Sequence, residues 1–184
     1  MTVEIVFIIL LIILNGVFAM SETALVSARK LRLQQLADEG HESAGVALEL
    51  ANDPNRFLST VQFGISLIGT LAGVFGGATI AEKLAVTLNS ATWLQPHSES
   101  LALGLVVVGI TYLSLIIGEL VPKRLALYHP ERIAAGMARF MRGLSVFASP
   151  FVRILSLSTE GVLRLFRIKP SEDPPVTEEE VKAM

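Results

Sequence analysis

A glycine, a carboxylate and a proline stand together in Gly118-Glu119-Leu120-Val121-Pro122-Lys123, where an apolar run that begins near Leu101 ends. An ionisable side chain at membrane depth is costly, and it is by default a candidate for function. Pro122 has no N–H, and its ring crowds the carbonyl four residues back, that of Gly118. That carbonyl and the Glu119 carboxylate would bring two oxygens to one depth, which suits a hard cation. The plainer alternative is a helix that ends at Pro122, with Glu119 reaching out to an interface. Lys123 and Arg124, the nearest basic residues, are expected to point to that interface and leave Glu119 without a partner.

Other oxygen-bearing side chains recur at helical spacing. Asn15 and Glu22 are seven residues apart, two turns on one face, with Ser21 beside Glu22. They read either as a helix end capped by Ser21 and Glu22 or as a polar end facing a cavity. Ser59, Gln62, Ser66 and Thr70 share a face of a second apolar stretch. A single hydroxyl there more often bonds a backbone carbonyl than a ligand; a stripe of four is harder to explain that way. Gly69, Gly73 and Gly77 form a doubled GxxxG, a smooth face for close helix packing or for a dimer contact. Thr111, Ser114 and Gly118 share a face of a third stretch.

Composition says what must position these groups. Of the 184 residues, 52% are apolar and 17% charged, against roughly 25% charged in ordinary soluble domains. This is the composition of a membrane protein. There is no cysteine, hence no disulfide framework and no thiolate site. His41, His97 and His129 lie outside the apolar runs, so copper and zinc lack their usual ligands there. A net charge of −2, with no basic-aromatic cluster, gives no reason to expect a nucleic-acid partner. No nucleophile–histidine pair, phosphate loop or HExxH motif argues for an enzyme.

The predicted fold is an all-α membrane protein with three transmembrane helices and amphipathic juxtamembrane helices. Val3 to Met20 is the first span; Glu4 stands where a signal peptide would carry Lys or Arg, so the span is read as retained. Ser27 to Arg56 is amphipathic and broken at Gly40, two short helices on a membrane surface. Asp53-Pro54 opens the second span, which runs to about Leu84. Asn89 to Ser100 is a loop, with Trp93 as an interfacial anchor. Leu101 to about Val121 is the third span. Pro130 to Ile168 mixes arginines with apolar residues, is interrupted by Pro150, and reads as interfacial helices. Lys and Arg crowd the 27–56 connection and the chain after Pro122, so the N-terminus is expected outside and the C-terminus in the cytoplasm. Residues 1–169 would form the transmembrane domain with its helical belt. Residues 170–184 read as an acidic, Pro-rich linker, and Thr177-x-x-Glu180 as a capping box that starts a cytoplasmic domain cut short.

Depth arithmetic draws the polar groups together. At about 1.5 Å per residue, Ser21 and Glu119 each lie roughly 27 Å from the outer ends of their spans. Ser66 lies roughly 12–15 Å from the inner end of the second, by the same rise. All fall in the cytoplasmic half of a core about 30 Å thick, as a cation site or pathway would require.

At these residues the chain resembles a known family, the transmembrane domain of CorC-type proteins, prokaryotic relatives of the cyclin-M magnesium transporters. The resemblance rests on Asn15-Gly16-Val17-Phe18 with Ser21-Glu22-Thr23-Ala24-Leu25, on Gln62-Phe63-Gly64-Ile65-Ser66, and on Gly118 to Lys123. It implies a homodimer of three-span protomers in the inner (plasma) membrane, followed by a cytoplasmic tandem nucleotide-binding domain. It implies magnesium export coupled to sodium, with Mg²⁺ as substrate and Na⁺ as coupling ion. It places the cation on Ser21, Ser66, Glu119 and the Gly118 carbonyl, with Asn15 and Gln62 nearby; Glu22, Ser59 and Thr70 would line the cavity. Mg²⁺ takes oxygen ligands and dehydrates reluctantly, so one carboxylate among neutral oxygens would bind it weakly enough to release it. The competing expectation is a scaffold that senses magnesium without moving it.

Overall fold

The computed structural model describes residues 2–90 and 95–166, and every regular element among them is helical. The first helix, α1, runs Thr2–Ser27. Two short helices follow, α2 (Lys30–Asp38) and α3 (Glu42–Asn52). Gly40 joins them at φ 93°, a left-handed conformation that only glycine adopts without strain. Pro54 opens α4 (Pro54–Phe75), its fixed φ suited to a first helical turn. A π-helical turn, Gly76–Ala81, carries this helix on into α5 (Glu82–Leu88). After a 3₁₀ turn at Gln95–His97 comes α6 (Ser98–Leu115), a second π turn (Ile116–Leu120), and α7 (Val121–Tyr128). The last helix is α8 (Pro130–Leu165).

Four helical stretches are long and apolar enough to cross a membrane: Thr2–Ser27, Pro54–Leu88, Gln95–Tyr128 and Pro130–Leu165. Three of them contain the expected spans; the fourth is the segment expected at the interface. Their outward faces are apolar, with Val6, Leu10 and Ile13 exposed on α1 and Leu105, Val108 and Tyr112 on α6. An aqueous protein does not present such faces over whole helices.

Three helix boundaries differ from expectation. Ser21 and Glu22 do not cap the end of α1, which continues to Ser27. Ser21 instead donates to the Val17 carbonyl at 2.7 Å, the back-bond open to a hydroxyl inside a helix. Pro122 does not end the third span. The π turn before it takes up the missing hydrogen bond, with the Val121 N–H on the Ile116 carbonyl, five residues back. Nor does Pro150 interrupt α8; Val146, whose carbonyl it leaves without a helical donor, is exposed, so that oxygen is not trapped in a core. Trp93, the 170–175 linker and the Thr177–Glu180 box lie outside the described residues.

The chain divides into two compact units, 1–149 and 150–184. The first is built around α1, which packs on α4, α7 and the second π turn, while α6 packs on α5 and on the first π turn. Its core relies on alanine: Ala24, Ala44, Ala47, Ala102 and Ala126 are fully buried, and small residues let backbones approach closely in lipid. Glu42 and Glu49 of α3 pair with Arg139 and Arg142 of α8. Thr60 donates to the Arg56 carbonyl and lies 3.3 Å from the Ser145 hydroxyl, in a buried contact. The described part of the second unit is the C-terminal half of α8, where Phe151, Ile154 and Leu157 are exposed and Ser158 and Thr159 bond carbonyls four residues back.

Candidate cation site

The site forms where Asn15-Gly16 of α1 meets Gly118 to Pro122. Both partners are broken in a complementary way. Pro122 cannot donate to Gly118, and the π turn leaves the Gly118 carbonyl without a helical donor. Asn15 supplies one: its Nδ2 donates to that carbonyl at 3.0 Å. Gly16 makes the approach possible. A Cβ there would lie 2.9 Å from the Ile117 carbonyl oxygen and 2.9 Å from Pro122 Cγ, so no larger residue fits without displacement. Gly118 is nearly as confined, with Asn15 Nδ2 and the Ile12 carbonyl each 3.2 Å from its would-be Cβ.

The Gly118 carbonyl is therefore freed from its helix, as the sequence predicts, but it is held by Asn15. The other end of that amide is different. Asn15 Oδ1 is buried and has no hydrogen-bond partner among the described residues. A buried acceptor left this way costs about 1–3 kcal/mol, and it is an oxygen of the kind a hard cation uses.

Asn15 and Glu119 line a cavity of about 290 Å³ between α1, α4 and α6. Thr111 and Ser114 add hydroxyls to its wall, and Gly69, Gly73 and Gly77 form its smooth side. The glycine stripe thus faces space: a Cβ on Gly69 or Gly73 would meet nothing within 4 Å. Close helix contacts inside the chain use other glycines, Gly64 against the Phe18 ring and Gly76 against Ile110. Gly77 also borders a second cavity of about 410 Å³, which carries Glu82 and Glu99. Nearby, Lys83 bonds Glu4 at 2.9 Å and ties the start of α1 to α5.

Glu119 is not without a basic partner. Lys123 Nζ donates to its Oε1 at 2.8 Å, an i,i+4 pair across the join of the π turn and α7. The expectation that Lys123 points away to the interface is thereby overturned. The spacing carried the signal, since residues four apart on a helix face one another.

The remaining expected residues stand apart from this wall. Ser21 is buried and bonded to Val17. Glu22 and Ser59 are half-buried; Gln62, Ser66 and Thr70 are exposed on α4. Thr70 donates to the Ser66 carbonyl at 2.8 Å, so one hydroxyl of the stripe has the ordinary backbone role. No group of three His, Cys, Asp or Glu side chains lies together among the described residues. A cation here would rest on one carboxylate and neutral oxygens.

Comparison with known proteins gives the same picture. Residues 5–184 match the family described as the Cyclin M transmembrane N-terminal domain. A UPF0053 protein of Synechocystis sp. is 52% identical over 98% of this chain and 40% of its own length. A polyamine export protein of Haemophilus influenzae is 30% identical over 96% of this chain and 41% of its own. Another of that name, from Salmonella typhimurium, is 28% identical over 95% and 39%. The chain thus spans about 40% of the length of these relatives.

Proposed function

This chain belongs to the cyclin M transmembrane domain family, and from that premise we propose that it is the membrane part of a cation exporter whose cargo passes Glu119. One observation carries the reading: a carboxylate, a freed backbone carbonyl and an unpartnered amide oxygen meet at a proline-broken turn beside a cavity within apolar helices. Such a break costs stability in lipid unless it lines a cavity. Magnesium is the proposed cargo. Glu119, the Gly118 carbonyl and Asn15 Oδ1 would face it, and Ser21 and Ser66 would join them only if α1 and α4 shift during transport. Sodium is the proposed coupling ion, and a homodimer with a nucleotide-binding cytoplasmic domain the proposed whole. We place three spans in the inner membrane, N-terminus out, with α8 along the cytoplasmic surface. Arg132, Arg139, Arg142, Arg153 and Arg164 recur along α8, and a helix of 36 residues is about 54 Å long, well beyond the bilayer core.

A second cargo has an observation in its favour. The Lys123 ammonium on Glu119 is the contact that the end of a polyamine would make, and two of the relatives are named polyamine export proteins.

Flux from proteoliposomes holding the full-length protein tests both. Magnesium and spermidine are loaded separately, with and without a sodium gradient. The reading expects one cargo to leave, and Glu119→Gln to abolish the flux. Binding without flux in the parent would favour the sensing scaffold; equal flux in parent and variant would place the pathway elsewhere.

A further inference from the structure

We propose that Lys123 sets the charge selectivity of the site: it is a tethered monovalent cation on Glu119 that a cargo must displace. The proposal rests on the reading that Glu119 holds the cargo.

The pair is local and strained for choice. Nζ lies 2.8 Å from Oε1, and no other carboxylate lines the same cavity wall among the described residues. One negative charge cannot serve both an ammonium and an arriving cation, because the two positive charges repel at such distances. Binding is therefore an exchange. Lys123 has somewhere to go, since its side chain is 38% exposed and its four-carbon stem is flexible.

Exchange discriminates by valence. Replacing Lys123 with Na⁺ trades one unit charge for another. The tether also gives the ammonium an effective concentration on the order of millimolar or more, against which a free monovalent ion must compete. A divalent ion at the same distance gains about twice the Coulomb energy. A polyammonium brings further charges that other oxygens of the wall can accept. Lys123 thus excludes common monovalent ions without any contact to the cargo, a repulsive element of the kind specificity often needs.

The experiment is a thermal melt of full-length protein across a Mg²⁺ series and a spermidine series, each in choline chloride and in sodium chloride. Lys123→Met keeps the stem and removes the charge. It should lower the cargo midpoint by about two- to tenfold, the range from a solvated i,i+4 pair to a partly desolvated one. It should also make sodium a competitor where the parent is indifferent to it. Lys123→Arg, which keeps charge and reach, should behave as the parent. In a Glu119→Gln background Lys123→Met should change nothing. If the methionine variant does not fold, Lys123→Gln replaces it, since it can still donate to Glu119 without a charge. A cargo midpoint and sodium response equal to the parent's would overturn the proposal and make Lys123 a brace. A parent whose melting ignores both cargoes would overturn the Glu119 reading and this proposal with it.

Discussion

Asn15 and Gly118, 103 residues apart in sequence, share a 3.0 Å hydrogen bond that joins α1 to the π turn of the third long helix. It satisfies a carbonyl that Pro122 leaves without a helical partner. The bond holds two flaws against each other, a polar side chain in an apolar helix and a broken backbone ladder.

Asn15→Leu should therefore destabilise the protein by about 1–3 kcal/mol, the cost of a buried carbonyl with no donor. Asn15→Asp should be the worse of the two without divalent ions, because a carboxylate offers Gly118 no hydrogen. Melting temperatures of the two variants in detergent check the order; a harmless Asn15→Leu would mean the bond contributes nothing.

Gly16 and Gly73 make a paired test. Gly16→Ala puts a methyl 2.9 Å from a backbone oxygen and from the Pro122 ring, and overpacking of this kind costs about 1–3 kcal/mol. Gly73→Ala meets nothing within 4 Å and should melt like the parent. Should the glycine stripe instead be a dimer contact, Gly73→Leu would shift elution on a sizing column while Gly73→Ala would not.

Pro122→Ala returns an N–H that can compete with Asn15 for the Gly118 carbonyl. The third helix should become more regular, and Mg²⁺ affinity should fall severalfold because that oxygen is drawn back into its ladder. Isothermal titration of parent and variant decides this, and unchanged affinity excludes the carbonyl as a ligand.

Glu119→Gln removes the charge and keeps the shape. If Glu119 binds the cargo, added Mg²⁺ raises the parent's melting temperature and leaves the variant's where it was, since a ligand that binds only the folded state stabilises it by mass action. Equal shifts in the two proteins would move the site off Glu119.

Much of this arrangement was legible in the chain, for local reasons. A proline near Gly118 announces a free carbonyl through its own covalent chemistry, and Gly40 and Pro54 punctuate the short helices by their backbone limits alone. What was not legible depended on the neighbouring helix. Nothing in the order of residues says that Asn15 would face Gly118, so the carbonyl looked open where it is held. Ser21 and Ser66 reach the right depth by arithmetic, but depth does not fix the angle around a helix axis; Ser66 faces outward and Ser21 is turned to its own backbone. Pro150 looked like an interruption because its cost depends on whether the freed carbonyl is trapped, which sequence does not show.

The π turn at Ile116–Leu120 also has a consequence for how this segment tolerates insertion and deletion. A π turn is one residue longer than the α-helical turn it replaces, and an α-helix rotates about 100° per residue. Deleting any one residue from 116–120 would leave hydropathy and length nearly untouched while turning all of α7 by about that angle against α6. Pro122 would swing away from Gly16, and the Glu119–Lys123 pair would lose its common orientation toward the cavity. The segment is thus forgiving of apolar exchange and intolerant of a change in count.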